Sequence, residues 1–199
     1  MSYLRAEPLD ETNFPLFEAI KNQFGFIPNF YRAQTMRPDL VGAEAQLVNA
    51  ILIREGALSR KEKEYVFLVC SAANLSTYCV TAHCEIIRML GIQGPEPESR
   101  SLDRGQRIAV DYATADIPMQ MKALLTFAAK LNNQRSNLCN RDINALRTYG
   151  YNDQQILETI VMVGLAKFAN YVAFGLGASP DFDPAKIGLL EDEVVGALG

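Results

Sequence analysis

Signals that start and stop α-helices recur along the whole chain and leave little room for other secondary structure. Thr12 and Asn13 precede Pro15, and the segment PLFEAIKNQFG that follows closes on Gly25. That is a cap, a proline in the first turn and a terminal glycine. IPNFYRAQTM reads as a short helix. RPDLVGAEAQLVNAILIREG starts at a proline and stops at Gly56, with Leu40, Ala43, Leu47, Ala50 and Ile51 on one apolar stripe. Ser59 with Glu62 three residues on forms a capping box in front of EYVFLVCSAANL. Ser76 is the next cap, and TYCVTAHCEIIRML runs from it to Gly91. Further helices are expected from Asp103 to about Ala115, Met119 to about Leu131, Asn140 to Thr148 and Asn152 to about Phe168, with Asn140 and Asn152 as caps and Gly150 as a stop. No stretch alternates with period two over several β-branched residues, so strands have no support and the expected class is all-α.

At 199 residues the chain fits one domain, and a chain of this size hides roughly 70% of its unfolded surface. QGPEPESRSL, residues 93–102, is the one plausible linker, and it divides the chain into helical halves of about 1–92 and 103–183. A weak internal repeat supports the division. Glu64 opens EYVFLVCSAANLSTYC and Glu158 opens ETIVMVGLAKFANYVA. Aligned on these glutamates, each copy reads as a long apolar helix, a small polar break (Ser76 against Asn170) and a further apolar helix. The second copy carries Ala173 where the first has Cys79, and Gly177 where it has His83. One copy keeps chemistry and the other keeps packing.

A formal charge of −4 with no basic cluster argues against nucleic acid or an anionic membrane as partner. Lys167 and Asn170 interrupt the most apolar run, Ile160 to Ala178, so it reads as a buried helix and not as a membrane span of about 20 uncharged residues. The N-terminal MSYLRAEPLDETNF is polar and acidic, unlike a secretory leader. Four cysteines then imply a reducing, cytoplasmic setting. Their positions and the single histidine do not make a metal site.

That histidine, His83, stands four residues after Cys79 and directly before Cys84. With Ser76 as cap, Cys79 is the third residue of its helix, where free N–H groups and the positive dipole end favour a thiolate. His83 shares a helix face with it and is placed to accept the thiol proton. The helices before and after the break should pack as an antiparallel hairpin, which brings Glu64 within reach of His83 and gives a carboxylate in an apolar helix its partner. The same symmetry sets Cys70 roughly opposite Cys79 or Val80. Cys84 cannot bridge to Cys79, because five helical residues rise about 7.5 Å and disulfide Cα atoms lie within about 7 Å. The bland readings are a helix cap for Ser76, packing for Tyr78, and core positions for Cys70 and Cys139.

SRKEKEYVFLVCSAANLSTYCVTAHCEIIRMLG resembles the signature of the alkylhydroperoxidase D-like proteins of the carboxymuconolactone decarboxylase superfamily. That signature is a Glu, eleven residues, Cys-x-x-Cys, three residues and a His. FGFIPNFYRAQTMRPDL and LRTYGYNDQQILETIVMVGLAKFANYVAFGLG resemble its longer, peroxidase-related branch, so the likeness runs roughly from Phe14 to Asp183. It implies an all-α bundle with the motif on a helix-turn-helix hairpin, homo-oligomers (dimer, trimer or hexamer) and no cofactor. Carried over, Cys79 is the sulfur that attacks the peroxide, and Glu64 and His83 form the proton relay. Tyr78 stands where some members place a second histidine. Ser76 replaces the first, resolving cysteine, which rules out an intramolecular Cys-x-x-Cys cycle.

The resemblance thus implies a thiol peroxidase for organic hydroperoxides, in which Cys79 passes through a sulfenic acid restored by an external thiol, a redox protein or Cys70. Two alternatives stand beside it. One is a decarboxylase-like enzyme using His83 and Glu64 on a small acid, with Arg60 and Arg88 as the nearby cations. The other is a catalytically degenerate helical oligomer.

Overall fold

Ten consecutive residues of one helix, Lys63 to Ala72, are buried, and the rest of the architecture follows from the need to cover that helix on every side. The structure, a computed structural model, describes residues 2–4, 15–91 and 104–182. Its helices are α1 (Pro15–Phe24), α2 (Asn29–Arg32), α3 (Pro38–Val48), α4 (Arg60–Ala73), α5 (Thr77–Met89), α6 (Arg104–Asp111), α7 (Met119–Asn133), α8 (Asn140–Thr148) and α9 (Asp153–Leu176). A π-helical turn, Asn49–Ile53, extends α3, and a 3-10 turn, Arg135–Asn137, precedes α8. The described residues contain no strand, as the helix punctuation predicts. The helix α4 packs against α5, α6, α7 and α9, so elements of both halves share one core. The linker at 93–102 and the cap at Thr12 and Asn13 lie outside the described residues.

The start of α4 is fixed twice. The Ser59–Glu62 capping box is present. The carboxylate of Glu158 on α9 accepts the N–H groups of Ala57 and Leu58 at 2.7 and 2.9 Å. The buried Lys63 ammonium donates to the Arg54 carbonyl at 2.8 Å and lies 3.9 Å from Glu158. Glu158, the repeat counterpart of Glu64, is therefore a clamp between the two apolar helices.

The hairpin from α4 to α5 turns within Asn74–Ser76. Leu75 adopts φ 58°, in the left-handed region, which costs a non-glycine residue roughly 1–2 kcal/mol. The chain tolerates this because the turn is held: the Ser76 N–H reaches the Ser71 carbonyl at 2.9 Å. The Asn74 amide bonds to Asn132 on α7 and Asn170 on α9 at 3.2 and 2.8 Å.

Several sequence expectations are corrected. The second repeat copy has no break at Asn170; α9 is continuous through it to a left-handed Gly177 at φ 59°. Asn170 stays helical because its amide satisfies neighbours across the core, donating to the Ser71 hydroxyl at 3.0 Å, instead of competing for its own backbone. A Cβ at Gly177 would sit 2.7 Å from the Tyr3 ring. By length and composition α9 is long and apolar enough to span a membrane, yet Thr159, Met162, Ala166 and Asn170 bury its inner face within the protein.

On α3 the stripe of Leu40, Ala43, Leu47 and Ala50 faces outward; Val41 and Glu44 are buried instead. The helix is apolar on two faces, so periodicity alone does not select the inner one. Cys139 is exposed, not core: it is the N-cap of α8, its N–H bonded to Asp142 at 2.8 Å, while Asn140 is the first helical residue. Finally, α6 ends at Asp111, short of Ala115, because the Asp111 carboxylate captures the Ala113 N–H at 3.0 Å.

Candidate functional site

Fully buried on α4, Glu64 holds one partner with each carboxylate oxygen. Oε2 lies 2.6 Å from His83 Nδ1 on α5, and Oε1 accepts from Arg60 Nε at 2.6 Å. Burial pushes the carboxyl up, but the charges and hydrogen bonds of His83 and Arg60 outweigh it and hold Glu64 below the ordinary carboxylate range. An ionised Glu64 accepts from Nδ1–H, which leaves Nε2 of a neutral ring as the lone-pair nitrogen. The imidazole is also stacked on Phe67, with centroids 3.8 Å apart and planes 21° off parallel, so its tilt is fixed as well as its tautomer.

Cys79 and His83 face one cavity of about 270 Å³. Arg60 reaches its wall from α4, and aromatic side chains supply much of the lining, among them Phe26, Phe30 and Phe67. Cys79 is 4% exposed. Burial, the largest influence, raises its thiol pKa; hydrogen bonds from Ser76 and Asn170 pull the other way and do not overcome it. The thiolate primed by a helix start, expected from the sequence, is thus not the resting form. Burial holds the thiol up despite these hydrogen bonds, and it needs a base to lose its proton.

Ser76 occupies the cap position of α5, but its side chain caps nothing. It is 2% exposed and its hydroxyl is spent on the Cys79 thiol. Ser76 also lines a second cavity of about 630 Å³, together with Thr77, Ala178 and Pro180. Tyr78, Asp181 and Phe182 border both cavities.

Tyr78 does more than pack. Its hydroxyl donates to the Asp181 carboxylate and accepts the Phe30 N–H at 3.1 Å. Burial first, and then Asp181, raise its phenol above the ordinary value. Asp181 also accepts the Asn29 N–H at 2.8 Å, which ties the segment after α9 to the start of α2.

The remaining cysteines are set apart. Cys70 is buried, its thiol pushed up to about 12 by desolvation, and it lines neither cavity. Cys84 is buried and Cys139 exposed; none of the four is in a disulfide. Arg88 pairs with Glu85 on α5 and lines neither cavity. Among the described residues no cluster of His, Cys, Asp and Glu forms a metal cage.

The structure therefore brings Cys79, His83 and Tyr78 to one cavity, with Glu64 bonded to His83 and Ser76 bonded to the Cys79 thiol. It gives Arg60, read from the sequence as a nearby cation, to Glu64, and it adds two residues that sequence reasoning did not assign to the site, Asn170 and Asp181. Arg60 was legible as the residue four before Glu64 on the same helix face. Asn170 was legible as the repeat counterpart of Ser76. Asp181 carried no signal, because its place depends on how the segment after α9 folds back.

No protein-family model matches the sequence, and neither does any curated protein. Solved structures do match. The crystal structure of an alkylhydroperoxidase AhpD core, an uncharacterized peroxidase-related protein from Ralstonia eutropha JMP134, superposes with a TM-score of 0.81 at 26% identity, covering 95% of this chain and 97% of that one. An uncharacterized peroxidase-related protein from Silicibacter sp. TM1040 gives 0.80 at 25% identity, over 90% of this chain and 92% of that one. The debrominase Bmp8, solved as a variant in complex with 2,3,4-tribromopyrrole, gives 0.74 at 19% identity, over 98% and 100% of the two chains. At that identity the likeness is one of fold.

Proposed function

The chain belongs to the alkylhydroperoxidase AhpD-like superfamily, and from that premise we propose that it is a thiol-dependent peroxidase acting on organic hydroperoxides through Cys79. The observation that carries this reading is the buried Glu64–His83 pair, 2.6 Å apart, whose histidine lines the same apolar cavity as Cys79. His83, oriented by Glu64, takes the thiol proton. The sulfur attacks one peroxide oxygen, the O–O bond breaks, and the proton leaves with the departing alkoxide as an alcohol. Cys79 becomes a sulfenic acid, which external thiol reduces because Ser76 cannot. A cavity walled by aromatic rings favours hydroperoxides with an apolar body over hydrogen peroxide.

The decisive test is turnover of cumene hydroperoxide by Cys79→Ser with excess thiol. Activity is expected to vanish, and a variant as active as the parent ends the reading. A second reading has one observation in its favour. Aromatic rings, among them Phe67 stacked on His83, line the cavity that Cys79 also lines, and a protein of the same fold is a debrominase. Thiol-dependent bromide release from a brominated pyrrole, with no hydroperoxide turnover, would select it. The decarboxylase-like alternative has weaker support, since Arg60 is committed to Glu64 and Arg88 is outside the cavity.

We also propose a homo-oligomer. The outer face of α9 exposes Leu157, Ile160, Val161, Phe168, Tyr171 and Phe174 in the single chain, an apolar stripe of the kind that marks an interface.

A further inference from the structure

We propose that Asn170 is a catalytic residue: with Ser76 it forms a two-donor cradle for the negative charge that develops on Cys79 Sγ when the thiol proton leaves. The proposal deepens the peroxidase reading, and its turnover measurement rests on that reading. The internal repeat sets Ser76 against Asn170. In the structure these two positions reach the same sulfur, Ser76 from the head of α5 and Asn170 from the second half of α9. Both are almost sealed from water, at 2% and 1% exposure.

Which end of the Asn170 amide meets the sulfur is fixed by its neighbours. Its Oδ1 accepts from Asn74 Nδ2 at 2.8 Å, and its Nδ2 donates to the Ser71 hydroxyl at 3.0 Å. Asn74 is held in turn by Asn132 on α7, through reciprocal amide bonds of 3.2 and 2.9 Å. Turning the Asn170 amide over would set its N–H groups against those of Asn74. The second N–H of Asn170 Nδ2 is the donor left for Cys79. The sulfur therefore meets an N–H and an O–H, not an amide oxygen. Asn74 and Asn132, which act through Asn170, are positioning residues.

A thiol sulfur is a weak acceptor and a thiolate a strong one, so both bonds strengthen as the proton passes from Sγ to His83. Donors already aimed at the place where charge develops need no reorganisation during the step. Asn170 gives up no proton and forms no bond to sulfur beyond the hydrogen bond. Burial keeps Cys79 protonated at rest, and the cradle makes the anion accessible once the base acts. The departure of Ser76 from the motif gains a role here, because a hydroxyl is a better donor to the anion than the S–H of a cysteine.

The test reads the labelling of native Cys79 by iodoacetamide at pH 8, by tandem mass spectrometry, and needs no hydroperoxide. Labelling follows the thiolate. Asn170→Leu and Ser76→Ala each remove one donor and should slow it about threefold or more: a roughly tenfold smaller thiolate fraction, offset in part by the greater nucleophilicity of a more basic sulfur. Asn170→Asp keeps the oxygen that Asn74 bonds and sets an acceptor against the sulfur, so it should slow labelling further. Asn132→Leu, outside both cavities, should slow it by freeing the Asn74 amide. A merely structural role gives the opposite sign, because a loosened core admits the reagent. Labelling of Cys70, fully buried, reports such loosening. Cumene hydroperoxide turnover should fall in parallel. The proposal is overturned if Cys79 in the Asn170 variants labels within twofold of the parent, or faster, while Cys70 stays protected. Where the Asn170 variants expose Cys70, Asn132→Leu decides by the same criterion. Should the parent turn over no hydroperoxide, the peroxidase reading fails by itself, and the labelling rates still decide whether Asn170 holds the anion.

Discussion

Replacing Glu64 by Gln tests the centre of the proton relay with almost no change in shape. The carboxylate is buried and shared between His83 Nδ1 and Arg60 Nε at 2.6 Å each. Gln keeps a carbonyl oxygen for one of them and loses the charge that stabilises the imidazolium formed when His83 takes the Cys79 proton. A hydrogen bond to a charged partner contributes about 1.5–3 kcal/mol. At about 1.4 kcal/mol per factor of ten, losing it should lower kcat/KM for cumene hydroperoxide roughly 10- to 150-fold. The KM for the hydroperoxide should hardly move, because Glu64 lies behind the ring and touches no substrate. The pH profile supplies the sign. Glu64 is held below its ordinary value, so its charge is present above that lowered pKa and is lost as pH falls through it. Urea denaturation of parent and variant across pH should show the parent's advantage shrinking in acid, below the ordinary carboxylate range. The stability this carboxylate contributes follows the same course: fully present above its unfolded value of about 4.3 and lost as the pH drops through the folded one. A Glu64→Gln variant within threefold of the parent rate refutes the assigned relay.

Arg60→Met removes one of the groups that keep Glu64 ionised, so the acid loss of stability seen by urea denaturation should begin at higher pH, and Arg60→Lys should move it part of the way back; identical profiles for all three proteins would show that Arg60 does not act through Glu64. Leu75→Asn keeps the φ 58° turn in a residue that tolerates it, and should raise stability by about 1 kcal/mol, or a Tm increase of about 2–4 °C for a chain of this size by calorimetry. An unchanged or lower Tm would mean that Leu75 makes contacts worth more than its strain. Phe168→Glu places a charge in the exposed stripe of α9 and should lower the assembly mass seen by light scattering; a parent that is already monomeric contradicts the proposed oligomer.

The helices were legible because their ends are written locally. Ser59 with Glu62, Asn152 with Gln155 and the glycine after α9 work through neighbours in sequence. The Glu64–His83 contact was legible too, since a hairpin turn near 74–76 leaves a single register. The interior of α9 was not. Whether Asn170 breaks a helix or bridges a core depends on what faces it, and Asn74 and Ser71 reach it only in three dimensions. The state of Cys79 was misjudged for a related reason: the helix start is visible in the sequence, whereas the burial that holds the thiol up is a property of the packed site. Asp181 lies at the far limit of legibility, because it stands 103 residues from the tyrosine it holds.

That aspartate gives the segment after α9 a grip on the reactive centre. Through Tyr78 and the Asn29 amide it moors the stretch following α9 to the motif helix and to the amino-terminal wall at once. Clipping the chain ahead of position 181, or hauling on it with a fused carrier, would slacken the partition beside the sulfur without altering any residue of the relay. Preparations that differ only in how their carboxyl ends are trimmed or tagged should accordingly differ in which small molecules they admit.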